Sequence, residues 1–228
     1  MKLSFKLLLI FSVLLNLTFI GMSLKKRFIP TDKSSSNKIT YFHDRQTVFE
    51  LFPLKKEDIV FAGDSETQFF DLDEYFSGCR IINRGIGSDD TRGLLNRMSQ
   101  ITGGKPRKIF IEIGLNDVMA GSSAENTYNG VIAIINRIKH DSPTSEIYLN
   151  NVFPCSLTAT DGSLTKIIPN LNTKLKAYCA NNAVTYIDVF SALAQNNGLN
   201  LKYDSGDGIH LNGQGYLAWS NVLKPYLK

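Results

Sequence analysis

The amino-acid sequence predicts an α/β domain, because short apolar segments with the length of buried strands alternate with segments of helical periodicity. Five such segments are apolar and rich in β-branched or aromatic residues. They are residues 59–62, 80–83, 108–113, 146–152 and 184–189. Right-handed crossovers between successive strands would place helices on both faces of a parallel sheet. We therefore expect a three-layer α/β/α sandwich with a five-stranded parallel sheet.

Helical segments lie before, between and after these strands, and several have recognisable ends. The segments are residues 41–54, 91–100, the stretch after Ser123, residues 169–181 and residues 213–227. Ser123 and Asn212 are placed to cap the helices that follow them. Pro169 is expected at the first position of its helix, where a missing backbone N–H costs nothing. With 228 residues, of which 43% are hydrophobic, the chain suits one domain with a substantial core.

Charge and cysteine content exclude several classes of function. The net charge of +4 is modest, and basic residues are scattered among acidic ones, so we expect no nucleic-acid partner. Cys79, Cys155 and Cys179 are an odd number without metal-ligand spacing. Neither a disulfide framework nor a zinc site is indicated, and these cysteines are expected to be small core residues.

Residues 1–27 have the pattern of a membrane signal. Lys2 and Lys6 precede an apolar run over residues 7–24, and three basic residues, 25–27, follow it. The run lacks a pair of small alanines at a cleavage site, which favours an uncleaved anchor, although a removed signal peptide stays open. No cysteine follows, so a lipoprotein anchor is excluded.

The remaining chain is expected to form a linker over residues 28–38 and the folded domain over residues 39–228. The N-terminal segment indicates a membrane-anchored or exported protein, on the periplasmic or extracellular face. The orientation of the segment and the oligomeric state stay open.

Four stretches carry the residues with chemical potential. They are residues 63–67, 83–89, 114–117 and 207–212, with sequences GDSET, NRGIGSD, GLND and DGIHLN. Alone, Gly-Asp-Ser is a weak signal, because these residues also end strands and cap helices. Together, in this order, the stretches resemble the sequence blocks of the SGNH (GDSL-type) esterase and acylhydrolase family, from residue 58 to about 227. The resemblance implies a flavodoxin-like SGNH hydrolase fold and a serine esterase that needs no cofactor.

The nucleophile, base and orienting acid follow from the first and last blocks. A serine hydroxyl needs a base to accept its proton, and an imidazole needs a group that fixes its tautomer. Asp207 precedes His210 by three residues, and Gly208 lets the loop turn between them. The resemblance implies Ser65 as nucleophile, His210 as general base and then acid, and Asp207 as its orienter. The alternative is an Asp-Gly turn before a capped helix.

An oxyanion hole needs hydrogen-bond donors aimed at the developing negative charge. The resemblance implies three: the backbone N–H of Ser65, the side-chain amide of Asn116 and a backbone N–H of the glycine-rich loop. Here the chain departs from the family pattern, because Ser88 stands where the family has its donor glycine, with Gly87 just before it. A backbone N–H serves whatever the side chain, so Ser88 stays the expected donor.

The remaining polar residues of these blocks are expected to support the loops. Asp64, Gly114 and Asp117 flank the expected nucleophile and the asparagine donor. Asp64 and Asp117 are expected to accept backbone hydrogen bonds and not to bind a metal, because no further ligands accompany them at ligand spacing. His43 and His140 are expected to be surface helix residues.

The substrate is less defined than the chemistry. Family analogy and the apparent export signal favour an acetyl or other short acyl ester on a carbohydrate. A lipid-directed acylhydrolase, resembling a lysophospholipase or a platelet-activating factor acetylhydrolase, is the alternative. A non-catalytic glycan-binding relative is a third interpretation. The acyl length and the alcohol half stay open.

Overall fold

The computed structural model describes the backbone of residues 33–78, 80–156 and 162–227, and side chains from residue 41 onward. The chain divides into two compact units, Met1–His43 and Asp44–Lys228. The described part of the first unit is helical backbone. Among the described residues, no helix has both the length and the hydrophobicity to cross a bilayer. The apolar run over residues 7–24 lies outside them.

The second unit contains strands and helices in alternation. The strands are β1 (Ile59–Gly63), β2 (Ile81–Gly85), β3 (Lys108–Glu112), β4 (Glu146–Asn150), β5 (Thr185–Ile187), β6 (Ala194–Gln195) and β7 (Gly198–Leu199). The helices are α1 (Lys33–Leu51), which begins in the first unit, α2 (Ser65–Gln68), α3 (Leu72–Tyr75), α4 (Thr91–Asn96), α5 (Ser99–Thr102), α6 (Leu115–Met119), α7 (Ala124–Asp141), α8 (Leu164–Ala180), α9 (Phe190–Leu193) and α10 (Gly213–Leu223), with a final 3₁₀ turn at Lys224–Tyr226.

The main sheet has five strands in the order β2-β1-β3-β4-β5, and every pairing is parallel. The expected five-stranded parallel sheet is thus confirmed. Its three central strands are aligned by aromatic rings, because Phe61, Phe110 and Tyr148 are in register. The ring centroids are 4.6 Å apart between the first two and 4.4 Å apart between the second two, and both pairs are stacked.

The sheet separates two apolar cores, as a three-layer sandwich requires. In β1, Val60 and Ala62 belong to one core, whereas Ile59 and Phe61 belong to the other. The first core is completed by apolar residues of α4, α7 and α8, and the second by those of α3, α10 and the segments around them. The alternation of side chains along buried strands produces this division.

Helix α1 is longer at its start than expected. It begins at Lys33 and so extends into residues 28–38, which we expected to form a linker. Serine, lysine and asparagine cost well under 1 kcal/mol each in a helix, so a helix can extend through them once it is nucleated. The helix ends at Leu51, because Phe52 precedes Pro53 and a residue before proline avoids helical backbone angles.

The helix with the proline was placed wrongly by the sequence analysis. Pro169 does not begin the helix but lies inside α8, which starts at Leu164. The buried side chains Leu164, Ile168 and Leu171 show that the apolar stripe already starts upstream of the proline. Burial of this stripe outweighs the backbone hydrogen bond that the proline cannot make.

The helix expected over residues 91–100 is interrupted. The backbone leaves helical angles at Arg97, with φ −102° and ψ 14°, and α4 and α5 lie on either side. A second feature that was not expected is the antiparallel hairpin of β6 and β7. Asn196 and Asn197 both have positive φ, as a two-residue type I′ turn requires.

The expected caps and core cysteines are confirmed. The Ser123 hydroxyl accepts a hydrogen bond from the N–H of Asn126, and the Asn212 side chain accepts from the first turn of α10. Cys155 and Cys179 are free and buried. Cys79 lies outside the described residues.

Candidate active site

Ser65 lies at the carboxyl end of β1, where the chain turns sharply into α2. Asp64 is the cap of this short helix, and its Oδ1 accepts the N–H of Glu66 at 3.0 Å. The turn is tight, because a Cβ on Gly63 would come within 2.3 Å of the Glu112 carbonyl oxygen and the Thr67 hydroxyl. The serine side chain therefore stands at the edge of the sheet where the loops after parallel strands converge.

His210 and Asp207 reach Ser65 from the loop before α10. The Nε2 of His210 lies 2.9 Å from the Ser65 Oγ, and its Nδ1 lies 2.6 Å from Asp207 Oδ2. Gly208 has φ +78°, the left-handed conformation that glycine adopts without strain. The structure thus brings together, in one continuous hydrogen-bonded chain, the three residues that the sequence analysis proposed as a triad.

The surroundings of Asp207 favour its ionised form. Partial desolvation acts to raise its pKa, but hydrogen bonds from the His210 side chain and from the N–H groups of His210 and Ile209 hold the pKa well below its ordinary value. The two backbone donors lie 2.8 and 2.9 Å from Oδ1. An ionised carboxylate only accepts, so Nδ1 carries a proton and Nε2 is left to accept the serine proton.

The glycine-rich loop after β2 is attached to the turn that carries Ser65, because the Ile86 N–H donates to the Gly63 carbonyl at 3.1 Å. Ser88 has φ +61°, a conformation in which glycine is usual, which agrees with its place at the family's glycine position. Within the described part of the chain, the N–H groups of Ser65 and Ser88 have no hydrogen-bond partner. Gly87 has a different role, because its N–H is held by the Gln68 side chain at 2.7 Å.

Asn116 follows β3 in helix α6, and its amide is already engaged. Its Nδ2 donates to the Asp89 carbonyl at 2.8 Å and lies 3.4 Å from Asp64 Oδ2. The first contact is a good hydrogen bond, whereas the second is long. One amide hydrogen therefore holds the glycine-rich loop, and the other is only weakly bound and remains available to an oxyanion.

A buried ion pair anchors the same loop, and the sequence analysis did not single it out. Arg97 donates to Asp89 Oδ2 at 2.8 Å, and both side chains are fully buried. The guanidinium also donates to the carbonyls of Arg84 and Gly63, at 2.8 and 3.0 Å. Burial raises the pKa of Asp89 to about 6, although Arg97 opposes the shift. The interruption between α4 and α5 places this arginine.

The expected loop supports are found where the sequence analysis placed them. Asp117 accepts the Thr91 N–H at 3.0 Å and its hydroxyl at 2.6 Å. Gly114 has φ +120°, and an added Cβ would lie 3.1 Å from methyl groups of Thr127 and Val152. Asp64 caps α2, as described above. Asp64 and Asp117 thus accept backbone hydrogen bonds in the loops around Ser65 and Asn116.

Three buried carboxyl groups lie directly behind the nucleophile. Asp64, Glu66 and Glu112 are each at most 2% exposed. Burial raises the pKa of Asp64 to about 7 and that of Glu66 to about 8, and it raises the pKa of Glu112 well above its ordinary value. The sequence analysis missed this cluster. A glutamate next to apolar residues near the end of the segment 108–113 was the available signal.

An aromatic side chain beside the base was also missed. The Phe69 ring meets the His210 ring edge to face, with centroids 5.6 Å apart, and 52% of Phe69 is exposed. It lies one turn after Ser65, a spacing that places both on one side of a short helix. The exposed ring provides an apolar surface beside the imidazole.

The other two histidines lie away from the hydrogen-bonded residues Asp207, His210 and Ser65. His140 bonds to the neighbouring Asp141 at the exposed end of α7, and His43 is exposed. In the described residues, no three histidine, cysteine or acidic side chains are grouped so that they could hold a metal ion.

Comparisons with known proteins were consistent with one another. The model of the GDSL-like lipase/acylhydrolase family matches residues 64–218. Platelet-activating factor acetylhydrolase IB subunit alpha2 of Rattus norvegicus is 28% identical over 178 residues, which are 75% of each chain. The corresponding alpha1 subunit of Pongo abelii is 24% identical over 180 residues, which are 76% of each chain.

Solved structures share the fold. A protein of Streptococcus pneumonia, named provisionally as a platelet activating factor, superposes with a TM-score of 0.73 at 27% identity and covers 92% of this chain and 99% of its own. A GDSL-like lipase of Bacteroides thetaiotaomicron superposes with a TM-score of 0.68 at 22% identity and covers 82% and 96%.

Proposed function

Because the chain belongs to the GDSL-like lipase/acylhydrolase family and is an ester hydrolase, we propose that it removes an acetyl group from an ester through an acyl-enzyme on Ser65. The observation that supports this most directly is the chain of hydrogen bonds from Asp207 through His210 to Ser65. A serine with a correctly oriented imidazole at its hydroxyl is an activated nucleophile.

The reaction would proceed in two halves. His210 takes the proton of Ser65 as the Oγ attacks the ester carbonyl, and Asp207 stabilises the imidazolium that forms. The N–H groups of Ser65 and Ser88, with the weakly held amide hydrogen of Asn116, take up the negative oxygen of the tetrahedral intermediate. His210 then protonates the leaving alcohol. In the second half, it activates a water molecule that releases acetate and restores the serine.

The substrate half of the proposal depends on the relatives. Their printed names specify an acetylhydrolase of platelet-activating factor, which supports acetyl as the acyl group. An acetylated ether phospholipid is therefore the substrate class that we propose, in place of the carbohydrate ester that the sequence analysis favoured. The exposed ring of Phe69 beside His210 suits an alcohol with an apolar part.

The N-terminal segment fits a lipid substrate. We propose that the apolar run over residues 7–24 holds the enzyme at an exported membrane face, where a phospholipid ester is within reach. The full-length chain should then fractionate with membranes, and its mature amino terminus, read by mass spectrometry, should precede residue 7. A mature terminus beyond residue 24 would establish a cleaved signal instead.

The decisive experiment compares three acetyl esters with the full-length enzyme in detergent. We expect hydrolysis of an acetylated ether phospholipid with higher kcat/KM than an acetylated sugar, and hydrolysis of an acetyl ester of p-nitrophenol faster than its octanoyl ester. A fluorophosphonate probe should label the protein but not Ser65→Ala. Absence of labelling would contradict the acyl-enzyme, whereas a preference for the sugar or for long acyl chains would contradict only the substrate assignment.

A further inference from the structure

The three carboxyl groups behind Ser65 are short of partners. Within the described residues, one oxygen of Glu66 and one of Glu112 are buried without any hydrogen bond. The other Glu112 oxygen lies 3.4 Å from the Thr67 hydroxyl. In the sheet Glu112 pairs with Gly63, the residue before Asp64, and both carboxyl groups are buried. Two neighbouring buried carboxyl groups can share a hydrogen bond only if one of them carries a proton.

The charged groups around the cluster do not neutralise it. Arg97 is buried nearby, but its guanidinium is used by Asp89 and by backbone carbonyls. His210 is used by Asp207 and Ser65. Asp89 and Asp207 bring further negative charge. Isolated ionised carboxylates are very costly to bury, so the cluster must hold protons at neutral pH.

The contacts of each group decide where a proton lies. Asp64 accepts the N–H of Glu66 at 3.0 Å and is approached by the Asn116 amide at 3.4 Å, and such donors favour its ionised form. Glu112 has only the distant Thr67 hydroxyl. The proton shared by the pair therefore belongs to Glu112.

The contact between Glu66 and Tyr216 indicates that Glu66 is also protonated. The tyrosine hydroxyl lies 3.1 Å from a Glu66 carboxyl oxygen and 3.1 Å from the Glu66 backbone carbonyl. One hydroxyl hydrogen cannot be donated fully to both oxygens. If Glu66 is a neutral acid, its O–H donates to the tyrosine oxygen and the tyrosine donates to the carbonyl, so both contacts are satisfied.

We propose that Glu112 is a positioning residue that works as a neutral carboxylic acid, donating a hydrogen bond to Asp64. Asp64 in turn caps the turn that carries Ser65 and contacts the amide of Asn116. Through this single acceptor, the Glu112 proton orients both the nucleophile and an oxyanion donor. The inference rests on the proposed role of Ser65, but the protonation state of Glu112 does not.

The test uses two replacements of Glu112 and one matched control. Glu112→Gln keeps a neutral group that can donate, whereas Glu112→Ala removes the donor. We expect Glu112→Gln to keep kcat/KM within about fivefold, and Glu112→Ala to lose about 10²-fold, mainly in kcat, because a displaced catalytic group costs about that much. The exposed Glu57→Gln should behave as wild type.

The pH dependence of stability provides a readout without any substrate. The raised pKa of Glu112 makes the folded protein bind a proton that the unfolded chain releases, so stability is lost as the pH rises above about 4.5. Urea midpoints at pH 5 and pH 8.5 should therefore differ less in Glu112→Gln than in wild type or Glu57→Gln. Measuring the same variants in a Ser65→Ala background separates this result from catalysis.

Several outcomes would overturn the inference. One is a Glu112→Gln protein as inactive as Glu112→Ala, and another is an unchanged difference between the two urea midpoints. A Glu112→Gln protein that fails to fold would also contradict a neutral glutamate. If wild type and Ser65→Ala hydrolysed esters equally, the proposed function would fail, while the midpoints would still decide the state of Glu112.

Discussion

Carboxyl groups lie on two sides of Ser65, and their surroundings give them opposite acidities. Half of the Asp207 side chain is exposed, and it accepts three hydrogen bonds from N–H groups, which keep its pKa low. Asp64 and Glu66 are buried with few donors, and their pKa values are raised to about 7 and about 8. The supply of donors and water, not the residue type, therefore sets the charge.

This difference separates two tasks within one site. The exposed side provides a permanent negative charge, which a base that becomes positive during the reaction needs. The buried side provides hydrogen bonds from carboxyl groups that are mostly neutral, which a densely packed turn beneath the nucleophile needs. Mutations on the two sides should accordingly differ in size and in pH dependence.

The largest effects are expected where the exposed side meets the nucleophile. Ser65→Ala and His210→Ala should each lower kcat/KM for ester hydrolysis by about 10⁴-fold or more, because the two residues act as one unit. Steady-state kinetics would measure the loss, and circular dichroism should show an unchanged fold. A folded Ser65→Ala protein with most of its activity would contradict the mechanism.

Removal of the negative charge of Asp207 should lower activity somewhat less than loss of Ser65 or His210. Asp207→Asn should lower kcat by about 10³- to 10⁴-fold, because an amide can no longer fix the imidazole tautomer that accepts the serine proton. Ser205→Ala is a suitable control, because the Ser205 hydroxyl lies 3.4 Å from the same carboxylate, a long and weak contact whose loss should change kcat little. Equal losses in both variants would point to a damaged loop instead.

The next largest effect is expected for the oxyanion donor Asn116. Asn116→Ala should lower kcat by about 10²- to 10³-fold with a smaller change in KM, as expected when a donor acts mainly in the transition state. The free energy of unfolding should also fall by about 1 kcal/mol, because the bond to the Asp89 carbonyl is lost. Loss of stability without loss of kcat would show that the amide only holds the loop.

The pH dependence of stability should have opposite signs on the two sides. The pKa of Glu66 is raised from 4.5 to about 8, so its contribution is complete below pH 4.5 and is lost as the pH rises to 8. Glu66→Gln should therefore reduce the loss of unfolding free energy between pH 5 and pH 8.5, by about 4 kcal/mol.

Asp207 supplies the matched counterpart. Its lowered pKa means that its contribution is present above pH 3.8 and is lost on acidification, so Asp207→Asn should flatten the acid limb and leave the alkaline limb unchanged. Urea titrations across pH 2.5 to 9 would measure both variants. If both variants flattened the same limb, the contrast between the two sides would be wrong.

The smallest effect concerns the loop that faces the nucleophile. Ser88→Gly keeps the backbone N–H, so turnover should stay within about threefold. Glycine removes the strain of a non-glycine residue in the left-handed conformation, which is about 1 kcal/mol. It also increases the conformational entropy of the unfolded chain, which opposes folding by a similar amount. The free energy of unfolding should therefore change by less than about 1 kcal/mol. Loss of activity would make the Ser88 hydroxyl a participant.

The features that could be predicted from the sequence share one property. Each is marked by a continuous run of residues of one kind or by functional residues that are close together in the sequence. The five strands are continuous apolar runs bounded by turn residues, and Asp207 and His210 are three residues apart. The loops after parallel strands converge at one edge, so the meeting of Ser65 with His210 could be expected from order along the chain.

The parts that did not follow depend on contacts between distant residues. Pro169 indicated a helix start, but burial of Leu164 against the core decided otherwise. Glu112 looks like the polar end of a strand until the sheet pairing places it opposite Gly63, the residue before Asp64. Two-residue strands such as β6 are too short to carry a pattern, and only the turn between them could have indicated the hairpin.

The break between α4 and α5 has a consequence for redesign. A designer who regularised residues 91–102 into one straight helix would improve the local backbone energy and would turn Arg97 away from the sheet. The carbonyls of Gly63 and Arg84 and the carboxylate of Asp89 would then lose their shared donor. A thermostabilised variant of that kind should gain helix content and lose the geometry of its glycine-rich loop, so helix optimisation should stop at Asn96.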